Sequence, residues 1–303
     1  MLRLPGHDRY DHVNINNRKD YSWPDGKRLA MYIACNVEHF AFGIGLGADP
    51  AHRPGQNTRN YAWRDYGNRI GQWRLFELLD ELKLPASILL NSIVCYYYPD
   101  LIEKIKERGD DVICHGRTTA EIHTPFWEED EARVVRECTD IIGQHLGRRP
   151  TGWMGPAALE SKVTPDLLKE AGYTHLLDWP VDDQPIWFRT RSGPLLSVPY
   201  PVELNDFGTL LARDHTGREY ADMLKLIVKS ILPRDEALLK AVAPHWEWIA
   251  EDGMPNVASI MAEQDFWADT FRTVENKVPQ GRVIEPSIAK EAVQRLTAER
   301  PFG

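Results

Sequence analysis

The chain is predicted to be an α/β protein whose parallel sheet is closed, or nearly closed, into a barrel. Short apolar runs alternate with helical patterns over about the first two-thirds of the sequence, which is typical of parallel strands joined by helices. Two of the runs, 29–37 and 112–114, are followed directly by an ionisable residue, Glu38 and His115. Catalytic groups of α/β barrels follow strands in this way. The two residues therefore predict one shared site at the carboxyl edge of the sheet.

The chain begins with a polar, turn-rich stretch, residues 1–28, which leads into the strand before Glu38. Residues 41–63 are rich in Gly, Pro, Asn and Arg and are predicted to form a long loop. Long ordered loops are usually functional or part of an interface. A helix is predicted over 64–83 because four leucines recur at helical spacing. They are Leu75, Leu78, Leu79 and Leu82.

The remaining elements of the sheet region follow from the same signals. Apolar runs predict further strands over 86–91, 112–114, 151–155, 173–178 and 194–200. Helices are predicted near 98–107, over 128–146, and from the helix-start pair Thr164-Pro165. The packing face of the 128–146 helix is predicted to carry Val135, Cys138, Ile142 and His145.

The pattern changes near residue 216 and becomes helical. A stripe at helical spacing predicts helices packed on the barrel over about 235–297, and it consists of Leu239, Val242, Trp246 and Ile249. His245 is predicted to be a surface residue beside this stripe, because each residue turns a helix by about 100°. We therefore divide the chain into a barrel, 1–225, and a helical region of unassigned family, 226–303.

Composition narrows the classes of protein to consider. The 303 residues carry a formal net charge of −9, which argues against general nucleic-acid binding, since that requires a basic surface. No apolar run reaches membrane-spanning length, and the first residues carry no apolar signal core. We expect a cytoplasmic protein. The four cysteines form no Cys-x-x-Cys pair, which argues against a disulfide framework. Cys35 and Cys114 lie in apolar runs and are predicted to be small core residues, with a catalytic thiol as the alternative.

Glu38 and His115 each admit two interpretations. Glu38 could be a general base or a metal ligand, or it could be a strand-end carboxylate in a salt bridge. His115 could bind a metal or a reacting group, or it could be a core histidine with satisfied hydrogen bonds. Because both residues follow strands of one parallel sheet, the functional interpretation gains weight for both.

A metal site is weakly indicated. His39 and His123 add donors to Glu38 and His115, and a catalytic zinc needs three protein ligands with an open position. Adjacent strand residues point to opposite faces, however, so Glu38 and His39 share a site only if the strand ends there. His115 and His123 are eight residues apart in a loop, a spacing that specifies no ligand geometry.

Three further residues follow later strands. Asp178 and Asp182 lie in a stretch with two prolines and could form a substrate-binding rim or a polar turn. Trp153 follows a glycine at a strand end and could form an apolar wall or pack in the core.

Six motifs together resemble those of a known family. They are, in chain order, Asn36-Val37-Glu38-His39-Phe40, Asp65-Tyr-Gly-Asn-Arg69, Leu90-Asn91-Ser92, His115-Gly116-Arg-Thr-Thr119, Gly152-Trp153-Met-Gly155-Pro156, and Asp178-Trp179 through Pro185. This order resembles the polysaccharide deacetylase superfamily with the NodB-homology fold, especially its allantoinase-like and cyclic-imide-hydrolase-like branch. The resemblance covers roughly residues 10–225. It implies a distorted (β/α) barrel with fewer than eight strands, and hydrolysis of an amide-type C–N bond.

The resemblance also implies roles for individual residues. Glu38 matches the general base, and His39 stands where the family has an acidic metal ligand. His115 matches the first histidine of the family's His-Ser/Thr-x-x-His motif, and Thr119 occupies the place of the second. Met154 stands where deacetylases carry an arginine. These departures resemble the cyclic-amide branch, part of which works without a metal.

The family's final motif, Leu-x-His-Pro, supplies a catalytic acid and has no counterpart here. Pro244-His245-Trp246 inverts its order and lies in a helical pattern. The region after the barrel is therefore atypical of the family.

The predicted function is hydrolysis of a non-peptide C–N bond in a small cyclic or linear amide or imide. Glu38 would activate water, and His115 would bind a metal or stabilise the tetrahedral intermediate. The predicted substrate-binding residues are Asn91, Thr119, Trp153, Asp178 and Asp182. The cofactor is either one divalent metal such as zinc, with His115 and His39 as candidate ligands, or none. The alternatives are a metal-dependent N-deacetylase of a sugar or amine and a non-catalytic binding protein.

The predicted partners are a small-molecule substrate and further copies of the chain, with no nucleic acid and no membrane. The loop 41–63 carries large aromatic residues, Phe42, Tyr61 and Trp63, together with arginine. These residue types are enriched in protein interfaces, so a homo-oligomer is predicted.

Overall fold

The structure is a computed structural model, and it describes residue 4 and residues 6–18, 23–27, 29–42 and 58–231, with side chains as far as residue 227. A seven-stranded sheet organises this part of the chain. Its strands are β1 (Ala34–Val37), β2 (Ser87–Leu90), β3 (Asp111–Cys114), β4 (Gly152–Trp153), β5 (His175–Leu176), β6 (Ile186–Thr190) and β7 (Gly193–Ser197). The spatial order is β1-β2-β3-β4-β5-β7-β6.

The pairings are parallel from β1 to β7, and only the β6–β7 pair is antiparallel among the described strands. The predicted α/β fold with a mainly parallel sheet is therefore confirmed. Among the described residues, β1 pairs only with β2, and β6 pairs only with β7. The strands β1 and β6 therefore form the two edges of the described sheet. Closure of the barrel stays a prediction.

Helices connect the strands of the sheet. They are α1 (Thr58–Tyr66), α2 (Gln72–Glu81), α3 (Val94–Tyr97), α4 (Pro99–Arg108), α5 (Glu128–Leu146), α6 (Thr164–Glu170) and α7 (Gly217–Ile231). A π-helical turn, Gly67–Gly71, joins α1 to α2.

The central strands are buried on both faces. Ile88, Leu89 and Leu90 of β2 are fully buried, and such continuous apolar runs are typical of parallel strands covered on both sides. The four cysteines are free and buried, as predicted. The core thus fixes the strand ends, from which the polar residues of the site project.

The helix predicted over 64–83 is wrong in its start and in its packing face. The structure has two helices joined by the π-helical turn, and Leu78 and Leu82 are exposed. The buried residues of α2 are Gln72, Phe76 and Leu79. Phe76 packs because the aromatic ring lies one turn before Leu79, on the face that meets the sheet. The prediction considered only the leucines and therefore left Phe76 out of the packing face.

The chain divides into two compact units, Met1–Thr216 and Gly217–Gly303. In the second unit the described element is α7. The predicted helices over 235–297, with His245 and Trp246, lie outside the described residues, and the assignment of 226–303 stays a prediction. In the described ranges, no helix combines the length and apolar character needed to cross a membrane.

Candidate active site

The site forms where the first three strands end. Val37, Leu90 and Cys114 are paired in register across β1, β2 and β3. The residues that follow them, Glu38, Asn91 and His115, therefore emerge level with one another at one edge. The prediction placed Glu38 and His115 on neighbouring strands. In the structure β2 lies between their strands, so the pair spans it above Asn91.

Glu38 and His115 meet directly, as predicted. The Nε2 atom of His115 lies 3.0 Å from Oε1 of Glu38, and its Nδ1 atom lies 2.7 Å from the carbonyl oxygen of Met154. A carbonyl can only accept, so Nδ1 must carry a proton. Nε2 then needs a second proton to bond with a carboxylate, because two lone pairs would otherwise face each other. The geometry therefore fits an imidazolium–carboxylate pair.

The electrostatics agree with this assignment. Burial raises the pKa of Glu38, but hydrogen bonds from His115 and Thr119 and the charge of His115 outweigh it, so the pKa lies below its ordinary 4.5. Burial lowers the pKa of His115, but the hydrogen bond and charge of Glu38 outweigh it, so the pKa lies above its ordinary 6.5. Between these two ordinary values both groups are charged.

The two carboxylate oxygens of Glu38 have different surroundings. Oε1 lies within hydrogen-bond distance of Thr119 Oγ1 at 3.0 Å and Asn36 Nδ2 at 3.3 Å, in addition to His115. Oε2 accepts no hydrogen bond from the described residues, and its ion-pair partner there is Arg64 Nη1 at 3.9 Å. One oxygen is therefore held in place, and the other keeps a lone pair for a substrate or a water molecule.

Asn91 braces the strand ends. Its fully buried amide oxygen accepts from the backbone N–H groups of His39, at 3.0 Å, and Thr119, at 3.2 Å. Its amide nitrogen donates to the carbonyl oxygen of His115. Asn91 thus ties the segments after β1 and β3 together through β2. The residue orients the site from below and has no exposed surface to offer a substrate.

Thr119 stands where the resemblance expects a second histidine ligand. Its hydroxyl lies between Glu38 Oε1 and Asn91 Oδ1, where it serves the hydrogen-bond network. In the described part of the chain, no three His, Cys, Asp or Glu residues come together as metal ligands. A zinc site with three protein ligands does not fit the donor set of Glu38 and His115.

His39 turns away from His115. Its Nδ1 atom lies 3.2 Å from the hydroxyl of Tyr98, which donates to Asp65 Oδ1 at 2.7 Å. The Tyr98 hydrogen is therefore committed to Asp65, and His39 must be the donor to Tyr98. The ring of His39 also stacks on Tyr97, with 4.2 Å between centroids. These contacts place His39 in an aromatic wall of the site.

A pocket opens beside Glu38. The pocket is lined by the segment after β1, by α1 and the turn that follows it, and by the residue before α4. The lining residues are Glu38, His39, Phe40, Tyr61, Arg64, Asp65, Asn68 and Tyr98. Asn68 donates to the backbone carbonyl of Glu38 at 2.6 Å. The pocket therefore has the candidate base, one guanidinium group and several aromatic rings in its wall.

Asp178 lies near enough to His115 for its charge to help raise the pKa of the imidazole. Both of its carboxylate oxygens accept from the backbone N–H of Gly155, at 2.8 and 3.0 Å. Burial raises the pKa of Asp178, and burial together with the negative charge of Asp178 raises the pKa of Glu160 well above its ordinary range. Trp179 Nε1 donates to Glu160 at 2.6 Å. Asp178 and Glu160 therefore form a second pair of ionisable groups, in addition to the Glu38–His115 ion pair.

Trp153 and Asp182 lie apart from the pocket. Trp153 is fully buried in the core, against His123 and Tyr173, so it supports the strand ends from beneath. Asp182 pairs with Arg18. From the predicted set the structure brings Glu38, His115, Asn91 and Thr119 into one hydrogen-bond network. The predicted residues Trp153, Asp178 and Asp182 are not among those that line the pocket.

Sequence reasoning missed Arg64, Tyr61 as a pocket residue, and Glu160. Arg64 directly precedes the Asp65–Arg69 motif, but no apolar run points to it. Tyr61 was assigned to an interface loop, whereas Thr58–Tyr66 is helical. A charged residue next to a recognised motif was the one available signal for Arg64.

Three comparisons with known proteins match this chain. A family model described as "Polysaccharide deacetylase" matches residues 64–176. A Schizosaccharomyces pombe protein described as "Putative polysaccharide deacetylase" is 25% identical over 196 residues, which is 60% of this chain and 61% of that protein. The chain therefore spans less than two-thirds of the length of this curated relative.

Solved structures share the fold. "Puue Allantoinase" is 23% identical, with a TM-score of 0.63, over 74% of this chain and 80% of its own. A "probable Polysaccharide deacetylase" from Pseudomonas aeruginosa PAO1 is 22% identical, with a TM-score of 0.64, over 71% of this chain and 77% of its own. The predicted resemblance to the polysaccharide deacetylase superfamily is confirmed, and the likeness to the allantoinase is a likeness of fold.

Proposed function

We propose that this chain, with its polysaccharide-deacetylase-like fold, hydrolyses a non-peptide C–N bond in a small cyclic or linear amide or imide. One observation carries the proposal. Glu38 lines the pocket, and its carboxylate is fixed through Oε1 while Oε2 accepts no hydrogen bond from the described residues. A carboxylate that is ionised, oriented and open on one oxygen is suited to act as a general base.

The chemistry needs few parts. A water molecule between Oε2 of Glu38 and the substrate carbonyl would lose a proton to Glu38 while its oxygen bonds to the carbonyl carbon. The tetrahedral intermediate then breaks its C–N bond, and the proton held by Glu38 is available to the leaving nitrogen. Glu38 ends ionised, as it began.

His115 has a positioning role in this scheme. Both ring N–H groups are already committed, to Met154 and to Glu38. The imidazolium therefore holds the carboxylate in place and favours its ionised form, at the cost of some basicity. Thr119 and Asn91 hold the same geometry from the loop after β3 and from β2.

The donor set favours this scheme over a zinc-dependent N-deacetylase. Of the family's three ligand positions, His115 alone keeps the expected residue, because His39 replaces the acid and contacts Tyr98, and Thr119 replaces the second histidine. No step is therefore assigned to a metal. We expect hydrolysis to be unaffected by a chelator.

The test is a hydrolysis assay of purified full-length protein. Succinimide, hydantoin, a linear primary amide, a carboxylate-bearing amide of similar size and N-acetylglucosamine are each offered with and without a chelator. Chelator-independent release of the acid from an amide or imide supports the proposal. Chelator-sensitive release of acetate from the sugar would instead establish the metal-dependent deacetylase. No turnover of any compound would favour a non-catalytic binding protein.

A further inference from the structure

The pocket beside Glu38 contains a cation, Arg64, whose ion-pair partner among the described residues is a carboxylate that also pairs with His115. We propose that Arg64 binds a carboxylate group of the substrate, so that the substrates are amides or imides that carry a negative charge a few bonds from the scissile group. The inference rests on the proposed function for the chemistry, but the anion site itself can be tested separately.

The guanidinium of Arg64 contacts an aromatic ring and donates no hydrogen bond to a described residue. It lies over the ring of Phe40, 3.9 Å from the centroid. Its Nε atom is buried and has no hydrogen-bond partner in the described part of the chain, and none of its N–H groups donates to another described residue. Nη1 is 3.9 Å from Glu38 Oε2, which is beyond hydrogen-bond distance. No described residue therefore occupies the planar donor edge of the guanidinium.

Each of the two acidic residues that line the pocket has a partner other than Arg64. Glu38 is already matched by His115 at 3.0 Å. Asp65, the other acid in the lining, accepts from Tyr98 and pairs with Arg69 at 3.8 Å. A partly buried cation that shares its described partner with a second cation is costly, and an incoming carboxylate would reduce that cost. Arginine is the side chain best suited to this task, because its paired donors match the two oxygens of a carboxylate.

The position of Arg64 restricts the size of the substrate. Its guanidinium is next to the open oxygen of Glu38, so a bound carboxylate lies close to the carbonyl that water attacks. The aromatic lining from Phe40 and Tyr61 suits a short apolar linker between the two groups. A small amide acid or imide acid meets these conditions better than a neutral polysaccharide.

Binding calorimetry with two compounds that cannot be hydrolysed tests the site. Levulinate is a short keto acid, and acetonylacetone is its neutral diketone counterpart. We expect the wild-type protein to bind levulinate about tenfold or more tightly than acetonylacetone, as a charge-assisted pair predicts. R64Q should remove this preference, and R64K, which keeps the charge but not the planar fork, should retain part of it.

R74Q is the matched control. Arg74 is an exposed arginine on α2 that donates to Tyr66 at 3.2 Å, and its replacement should leave the preference unchanged. Equal binding of the two compounds by wild-type protein, no binding of levulinate at millimolar concentration, or an unchanged preference in R64Q would overturn the inference. If R64Q does not fold, loss of the wild-type preference at high salt serves as the second criterion.

The two proposals fail in different ways. Levulinate binding that depends on Arg64, without hydrolysis of any amide, would keep the anion site and reject the hydrolase. Hydrolysis without any preference for charged compounds would keep the hydrolase and reject the anion site. In that case Arg64 could still lower the barrier by contacting the developing oxyanion, which R64Q would show as a loss in kcat.

Discussion

The proton between His115 and Glu38 determines the state of the site. Both ring nitrogens of His115 have acceptors as partners, so the pair is complete only while His115 is charged and Glu38 is ionised. Each partner moves the pKa of the other away from its ordinary value, and the two titrate as a coupled pair.

The pH dependence of kcat/KM should follow from these shifts. Glu38 has a lowered pKa, so its contribution is present above 4.5 and is lost as pH falls through the lowered value. His115 has a raised pKa, so its contribution is present below 6.5 and is lost as pH rises through the raised value. We expect a plateau that extends past both ordinary values. The free energy of unfolding should gain from the pair over the same window.

A rate that rises through the ordinary histidine value would contradict this assignment, because it would mean that neutral His115 is the working form. The H115Q variant provides the control. It should lose the alkaline limb of the profile, since no imidazolium remains to titrate.

Whether a single site residue could be predicted depended on whether it directly follows a strand. Glu38 and His115 could be found because each directly follows an apolar run, which places it at a strand end. Arg64 could not be found in this way, because it lies within a polar helix whose contact with Glu38 arises only when the chain folds. Asn91 was expected to bind substrate, yet a buried amide at a strand end has its hydrogen bonds taken by the neighbouring loops.

At the scale of elements, Gly116 fixes the exit of the chain from β3. Its φ is +66°, and a Cβ there would lie 2.6 Å from Cγ of Pro156. Gly109, at the end of α4, has a similar φ of +70° but open space around the Cβ position. A substitution at Gly109 therefore tests backbone strain alone, whereas a substitution at Gly116 tests backbone strain together with steric crowding.

We expect Gly109→Ala to lower the free energy of unfolding by about 1 kcal/mol, because it introduces left-handed strain alone. Gly116→Ala should cost about 1–3 kcal/mol more, because it adds overpacking, and it should also reduce turnover by displacing His115. Denaturant unfolding of both variants measures the difference. Equal losses would show that Pro156 moves aside freely.

The accuracy of the element predictions varied for physical reasons. The helix over 128–146 agrees with α5, because an acidic first turn and a terminal Gly147 at φ 74° mark its ends. The strand β6 was missed because it pairs antiparallel with β7 through a tight turn, and its exposed Trp187 obscures the apolar pattern. The turn between α1 and α2 was missed because glycines within a helical pattern do not specify a π-helical turn.

At the scale of the whole molecule, the association state remains a prediction. Phe42 and Trp63 are 56% and 48% exposed, and Phe42 contacts Tyr61 edge-on with 5.1 Å between centroids. Burial of such rings against a second copy would remove apolar surface from water.

We expect light scattering to give a mass larger than that of a single chain at micromolar concentration. Trp63→Ser should shift the population toward single chains, because it removes an aromatic contact. Trp127→Ser is the control, since Trp127 is 81% exposed and lies far along the chain from this surface. A strictly monomeric wild-type protein would contradict the prediction.

The general architecture could be predicted because alternating strands and helices permit few arrangements other than a parallel sheet. The spatial order at the β7–β6 edge could not, since local patterns do not encode which strand inserts between two others. The role of residues after 231 depends on packing that lies outside the described part of the chain.

The central claim is that Glu38 activates water, and one comparison tests it directly. Turnover of the best amide or imide substrate is measured for wild-type protein, Glu38→Gln and Glu77→Gln, with thermal melts to establish folding. The amide introduced by Glu38→Gln can still accept from His115 and Thr119 but has no basic oxygen, so we predict a loss in kcat of about a hundredfold or more with the fold intact. Glu77 is exposed on α2, so its variant should keep wild-type turnover. Unchanged turnover in Glu38→Gln would contradict the account.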